Sequence, residues 1–309
     1  MTGVVPIFFG GVLTVNTRQH IACNVRKRTF VNTPYDKESL MRITDCHVHV
    51  FGDGINVDDV LRAMDKNGVE RTLLISMDER VSLNGTRKRL LETKALFDVA
   101  PDRLDGLAFV KPTIPGMATL AEEALGEMGY TGLKMMPDHF YMTDPEIEPF
   151  LDAMNRISAS ILFHTGILYY YDDSSRFCQP VYLEKLLHYP NIRFAMAHMA
   201  WPWVEECLAV MGRMRAVVSE GAKQWQSYID ITPGVPPHIR KQSIKNAVEY
   251  CGVDHIMFGS DDMLPSETLD CQAFVLNDYK QIFDELDITE EQQARIFSGT
   301  ADEVFPNRR

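Results

Sequence analysis

From Arg42 onward, short apolar runs of strand length alternate with longer stretches whose apolar residues recur at helical spacing, and this alternation limits the fold more than any other feature. Parallel strands need a crossover between them, so a chain patterned this way builds a parallel sheet covered by helices. The strands expected are Ile43–Val48, Arg71–Ser76, Gly106–Val110, Gly132–Met135, Ser160–His164, Arg193–His198, Tyr228–Thr232 and His255–Gly259. Between them, Val57, Val60, Leu61 and Met64 mark one helical stripe, and Ala121, Ala124, Leu125 and Met128 another. Ile244, Ala247, Val248 and Cys251 repeat the stripe, as do Tyr279, Ile282, Phe283 and Leu286. Eight strand–helix units in one chain of 309 residues favour a closed α/β (β/α)8 TIM barrel over an open, doubly wound sheet.

Local signals support the boundaries. Asp144-Pro145 reads as an N-cap with proline at the first helical position. Thr289 with Gln292 reads as a capping box opening a last helix, and Gly299 as its stop. The stretch Gly212–Gln226 is long for a helix-to-strand link and is expected to hold an extra helical turn. Residues 1–40 lack the barrel pattern. Val4–Phe9, Val12–Asn16 and Ile21–Val31 suggest short strands, so an N-terminal β extension (1–40) before a barrel domain (41–309) is expected. An upstream start, with the domain proper beginning at Met41, is the alternative.

Composition narrows the class of partner. With 45% apolar and 24% charged residues, the chain reads as a soluble globular protein. The formal charge is −12 and no basic block tracks phosphates, which argues against nucleic acid. The apolar run Val4–Val15 is too short and too broken by Pro6, Gly10 and Gly11 to span a bilayer. Cysteines 23, 46, 178, 207, 251 and 271 show no C-x-x-C spacing and read as reduced thiols, so a cytoplasmic location is expected. A small-molecule substrate and a homodimer are the partners expected.

In a barrel of this kind, functional groups gather where strands end, on the rim of βα loops. The first strand carries Asp45-Cys46-His47-Val48-His49. Side chains alternate along a strand, so His47 and His49 share a face, about 7 Å apart. Alone, such a pair is weak evidence, since most His-x-His pairs are surface or core histidines. Downstream, the fifth strand ends at His164, the sixth at His198, and the eighth at Asp261-Asp262. Four histidines and an aspartate placed independently on one rim point to a metal site. Imidazole with carboxylate suits Zn²⁺, with Mn²⁺ or Fe²⁺ as alternatives.

On these residues the chain resembles the amidohydrolase superfamily, in the branch that includes aminocarboxymuconate-semialdehyde decarboxylase. The matching pieces are Asp45-Cys46-His47-Val48-His49, Gly132-Leu133-Lys134-Met135-Met136-Pro137, Phe163-His164-Thr165-Gly166, Ala197-His198-Met199-Ala200 and Phe258-Gly259-Ser260-Asp261. They span about Arg42 to Phe305. The resemblance implies that His47, His49, His164 and Asp261 hold the principal metal. Asp261, which directly follows Gly259-Ser260, is preferred to Asp262. It gives His198 the part of an acid, an electrophile or a ligand to a second ion. Lys134 falls where some members carry a carboxylated, bridging lysine and others a free one holding a substrate anion. The free ammonium is expected here, with a structural ion pair as the competing reading. His188 and His255 are expected to be structural. His139, Phe140, Tyr141, Tyr169, Tyr170, Tyr171, Trp201 and Trp203 either line the pocket or pack the loops.

The expected chemistry is hydrolysis of a small carboxylic amide, ester or lactone by a metal-activated water, with Asp261 as the base and His198 helping an oxyanion. The alternative is non-oxidative decarboxylation of an aromatic or unsaturated acid on the same scaffold. A barrel that binds without catalysis is the third reading.

Overall fold

The computed structural model describes residues 41–77, 82–169, 173–219, 226–266 and 268–307, with no side chains described for 218 and 219. The strands expected within residues 1–40 lie outside the described residues.

Among the described residues, nine parallel strands run in chain order around the sheet: β1 (Thr44–Val50), β2 (Arg71–Ser76), β3 (Leu104–Val110), β4 (Gly132–Met135), β5 (Ser160–Phe163), β6 (Arg193–Met196), β7 (Ser227–Asp230), β8 (Ile256–Met257) and β9 (Asp262–Leu264). β7 pairs with β8, and β1 pairs with β9. β8 and β9 are two halves of one stave, interrupted at residues 258–261. Backbone bonds from Cys46 N to Phe258 O (3.2 Å) and from Asp261 N to His47 O (2.9 Å) carry the seam across the interruption. The barrel therefore closes with eight staves. The eighth strand expected at 255–259 is shorter, ending at Met257, and pairing resumes at Asp262, just after Asp261 takes a left-handed φ of 59° that no continuous strand allows.

Outside the sheet lie α1 (Val57–Asn67), α2 (Leu83–Phe97), α3 (Met117–Gly126), α4 (Glu148–Arg156), α5 (Val204–Ser219), α6 (Pro237–Cys251), α7 (Asp270–Glu285), α8 (Glu290–Ala294) and α9 (Thr300–Val304). The apolar stripes read from the sequence face inward: Val60 and Met64 in α1, Ala121 and Ala124 in α3, Ile244 and Ala247 in α6, and Tyr279 and Phe283 in α7 are all buried. None of the described helices is long and apolar enough to cross a membrane.

Several boundaries differ from expectation. Between β5 and β6 the crossover is made of short 3-10 segments, Ser174–Cys178 and Pro180–His188. Asp144 precedes a 3-10 turn with Pro145 in its first turn, but its carboxylate turns back to accept from Tyr141 N (2.8 Å). The capping box at Thr289 and Gln292 is present. Gly299 does not stop the last helix. Its backbone stays right-handed (φ −56°), and a π-type turn over Arg295–Gly299 leads directly into α9. Gly212 to Ser219 continues α5 from Val204, and residues 220–225 lie outside the described ones.

Candidate metal centre

Two lines of apolar packing hold the rim still. The barrel interior is filled by Cys46, Ile75, Leu107, Leu162, Ala195 and Met257, and the sheet-to-helix layer by a second, larger cluster. Polar side chains at the strand ends are thus fixed against dense walls and taken out of water.

His47 and His49, in the second half of β1, bring their Nε2 atoms to 3.1 Å from one another. Asp261 Oδ1 lies 3.0 Å from His49 Nε2 and 3.4 Å from His47 Nε2. The donor atoms of these three residues all lie within 4.8 Å of one another, a set of ligand type and spacing that suits a divalent cation. Lys134, from β4, places Nζ 3.0 Å from His47 Nε2 and is buried. His198 follows β6 on a turn, with its ring 5.2 Å from that of His47 and 4.9 Å from that of His164.

His164 is the first residue after β5 and is not part of that close triplet. Its Nε2 is buried and has no hydrogen-bond partner. An orphaned imidazole nitrogen costs free energy unless something binds it. The triplet is of the same kind: two imidazole nitrogens and a carboxylate oxygen lie within 3.4 Å, beside the Lys134 ammonium. The residues present therefore fit a divalent ion.

Asp262 does not join them. Its carboxylate accepts from Gln272 N (3.0 Å) and Met263 N (2.8 Å), at the start of α7. The two adjacent aspartates diverge because the left-handed turn at Asp261 points the pair in different directions.

The supporting residues were not singled out from the sequence. Asp230, the last residue of β7, holds His47 Nδ1 at 2.6 Å, with both side chains fully buried. It also accepts from Thr232 N (2.6 Å). Thr232 Oγ1 in turn lies 2.9 Å from His198 Nδ1. An acid inside the apolar run Tyr228-Ile229-Asp230-Ile231 was the available signal, since a buried carboxylate needs partners. Asp45 is the other such residue, accepting from Ser260 N, His47 N and Gln272 Nε2.

Backbone strain concentrates on the same rim. His198, Met199 and Ala200 are consecutively left-handed (φ 59°, 48° and 54°), a conformation costing roughly 1–2 kcal/mol per residue. Close approach of loops explains how the turn is held. A Cβ on Gly234 would lie 2.6 Å from His198 Cβ, and one on Gly166 would lie 2.4 Å from Trp201 O.

Burial sets the protonation states. It lowers His47, His49 and His164 below the usual histidine range, helped for His47 by the Lys134 charge. It lowers His198 to about 4. These imidazoles are neutral near pH 7 and present lone pairs. Burial pushes Asp261 up, but His198, His49 and Lys134 outweigh it, so the carboxyl is held below its ordinary value and is ionised. Lys134 is pushed down to about 8 by burial, partly offset by Asp230 and Asp261. Asp230 is pushed up to about 7, again by burial.

Other expected positions fall into place more simply. His255 Nδ1 meets Ser227 O at 2.9 Å and the ring stacks on Tyr228, at the opposite end of β7 from Asp230. His139 is exposed and bonds Asp138 through Nδ1 (2.5 Å). Phe140 is buried in the core, Tyr141 packs on Phe177 and Tyr182, and Tyr169 is exposed. Trp201 packs against the main core, and Trp203 is half-buried. Tyr170 and Tyr171 lie outside the described residues.

Solved structures of several enzymes share the fold. The chain is similar to a 2,6-dihydroxybenzoate decarboxylase from Rhizobium (16% identity, TM-score 0.59, 85% of this chain and 98% of that one). It is similar to a probable 2-pyrone-4,6-dicarboxylic acid hydrolase from Acinetobacter baumannii, solved with citric acid bound (16%, 0.61, 85% and 98%). It is also similar to a 4-oxalomesaconate hydratase from Rhodopseudomonas palustris (18%, 0.62, 86% and 96%). No curated protein matches it in sequence. The sequence model described as Amidohydrolase matches residues 44–306, nearly the whole barrel from β1 to the segment after α9, and the chain belongs to that family.

Proposed function

We propose that the protein is a metal-dependent hydrolase of a small carboxylic amide, ester or lactone. The observation that carries the reading is the convergence of His47 Nε2, His49 Nε2 and an ionised Asp261 Oδ1 within 3.4 Å. His164, with its orphaned Nε2, completes the donor set. Three imidazoles and one carboxylate favour Zn²⁺, with Mn²⁺ or Fe²⁺ as substitutes. Such an ion supplies Lewis acidity, which acidifies water and polarises a carbonyl oxygen.

The protein's own groups do the rest. Asp230 keeps the proton of His47 on Nδ1, leaving Nε2 as a lone pair. Asp261 accepts a proton from the attacking water at its carboxylate and returns it to the leaving group. With the Thr232 hydroxyl donating to Nδ1, neutral His198 carries its proton on Nε2 and donates a hydrogen bond to the developing oxyanion. Lys134, released from His47 Nε2, anchors a substrate carboxylate as an ammonium.

A carboxylate base and a neutral imidazole donor beside the ligands suit hydrolysis. Asp261 is ionised and His198 is neutral, a base and a hydrogen-bond donor, not strong acids. One observation supports the second reading, non-oxidative decarboxylation of an aromatic or unsaturated acid. Lys134, at about 8, keeps a proton that it could give to carbon. Metal-stripped protein reconstituted with Zn²⁺ or Mn²⁺ tests both, assayed on lactones, amides, esters and aromatic carboxylates for acid production and CO₂ release. Acid without CO₂, dependent on metal, is expected. Full activity with no metal detectable removes the proposal, and CO₂ release replaces it with the second reading.

A further inference from the structure

We infer that Asp45, with Gln272, is a positioning residue that sets the distance between the two ends of the metal-binding triplet, and so sets metal affinity. This rests on the metal-dependent reading above. His47 and His49 arrive on β1, whereas Asp261 arrives on the interrupted eighth stave. Nothing in a regular parallel ladder places a residue at the break in a strand, so the corner 258–261 needs its own fixing.

Asp45 supplies it. Its Oδ1 accepts from Ser260 N (2.9 Å), the residue before Asp261, and from His47 N (3.2 Å). One carboxylate oxygen thereby holds the backbones of both ligand-bearing segments. Its Oδ2 accepts from Gln272 Nε2 (2.8 Å). Gln272 Oε1 accepts from Asn67 Nδ2 (3.1 Å), so the carboxylate is tied through α7 to the end of α1. Asp45 and Gln272 are both fully buried.

The donors that meet Asp45 are all neutral, and no cation touches it among the described contacts. A carboxylate kept in such a place is costly, and closing the barrel does not require it, because Cys46 N to Phe258 O and Asp261 N to His47 O already join the seam. Those two bonds flank the Gly259-Ser260 corner, and the bond from Ser260 N to Asp45 Oδ1 lies within it. Gly259 has no room to respond by shifting inward: a Cβ there would meet Thr232 Cγ2 at 2.6 Å and His47 Cβ at 2.8 Å. Ser260 Oγ also accepts from Asp262 N (3.2 Å) and Ser260 O from Cys271 Sγ (3.4 Å), and the bond to Asp45 is the one that joins this corner to the β1 side chains.

The test is Co²⁺ titration of metal-stripped wild type, Asp45→Asn, Gln272→Leu and Thr289→Ala, read by d–d absorbance, with thermal unfolding of the metal-free forms alongside. Thr289 caps α8 and touches none of the site. Removal of partners that orient metal ligands typically weakens affinity roughly 10–100-fold. Asp45→Asn is expected to lose affinity in that range with a shifted band, and Gln272→Leu to lose less, in the same direction. Thr289→Ala is expected to unfold at lower temperature yet bind Co²⁺ as wild type does. If Asp45→Asn fails to fold, Gln272→Leu decides. Affinity within twofold of wild type in the folded variants, whatever their unfolding temperatures, overturns the positioning role and leaves the metal reading standing. Wild type that binds no Co²⁺ overturns the metal reading itself.

Discussion

Asp230 Oδ2 lies 2.6 Å from His47 Nδ1 with both side chains sealed from solvent, so the orientation of one ring on β1 is decided by an acid at the end of β7. With Asp230 as acceptor, the ring's proton sits on Nδ1 and Nε2 turns toward Lys134, His49 and Asp261.

Asp230→Asn removes the charge but keeps the shape. The ring is then free to adopt either tautomer, and metal affinity should fall roughly 10–100-fold. Asp230→Ala should be worse folded as well, because Thr232 N loses its acceptor. Competition against a chelator of known affinity measures the first effect and thermal unfolding the second. Equal affinity in Asp230→Asn and wild type would show that the pair does not govern the ligand.

Asp261→Asn takes away both a ligand oxygen and the proposed base. General acid–base groups typically contribute about 10²–10⁴-fold to rate, and a loss of kcat in that range is expected even when the metal is supplied in excess. His49→Ala should instead lose metal first, with kcat partly restored at high metal concentration. Measuring kcat against metal concentration for both variants separates a chemical role from a binding one.

Strand ends with histidines were readable because strand side chains alternate and barrel chemistry collects on one rim, which led from sequence to His47, His49, His164, His198 and Asp261. Periodicity carries no information about the break in the eighth stave. The left-handed Asp261 follows Ser260, whose backbone N–H donates to the Asp45 carboxylate, far away in sequence. Asp45 and Asp230 look like any other acids in a strand until burial shows that each needs several donors.

Lys134 should impose an alkaline limit on substrate binding. Burial brings its ammonium down to about 8, so the cation that anchors an acid is lost as pH rises through that value. KM is expected to rise above about pH 8 in wild type. Arginine stays charged throughout, so Lys134→Arg should show a flat KM over the same range, at a higher starting value because the guanidinium does not fit the same space. A KM profile for Lys134→Arg that bends where wild type bends would assign the limb to another group.

His198 should make the metal-free protein acid-sensitive. Its folded value is about 4, while an unfolded histidine titrates near 6.5, so over that interval the unfolded chain binds the extra proton. Stability present above about pH 6.5 is therefore lost as pH falls toward 4, by about 3 kcal/mol for this one group. Asp45 and Asp230, raised to about 6 and about 7, act in the opposite sense but equally in wild type and variant. The stability difference between wild type and His198→Gln, from denaturant melts at several pH values, should shrink on acidification. A constant difference would mean that His198 is not held neutral.

Gly259→Ala should strike the site through space alone. The added carbon would lie 2.6 Å from Thr232 Cγ2 and 2.8 Å from His47 Cβ, and both neighbours are pinned, Thr232 to His198 and His47 to Asp230. Overpacking of this kind costs roughly 1–3 kcal/mol. Lower unfolding temperature together with weaker Co²⁺ binding is expected, since the strain falls on a ligand.

The barrel floor offers the contrasting case, where a buried ion network serves stability and not chemistry. Arg71, at the start of β2, donates to Asp105 Oδ2 (2.7 Å), Asp302 Oδ1 (2.9 Å) and Phe305 O (2.7 Å), and so fastens α9 and the residues after it beneath the sheet. Arg71→Met leaves Asp105 buried beside an apolar side chain, and breaking such a pair costs roughly 3–5 kcal/mol. Replacing both partners, as in Arg71→Met with Asp105→Leu, should recover much of that loss, because the buried carboxylate leaves together with the guanidinium it faces. Both variants place their change at the N-terminal ends of the strands, opposite the rim that holds His47 and Asp261. Metal affinity and kcat of the folded fraction should therefore match wild type while the denaturant midpoint moves. A drop in metal affinity parallel to the drop in stability would mean that strain at the floor reaches the rim through the interior packing around Cys46 and Ile75.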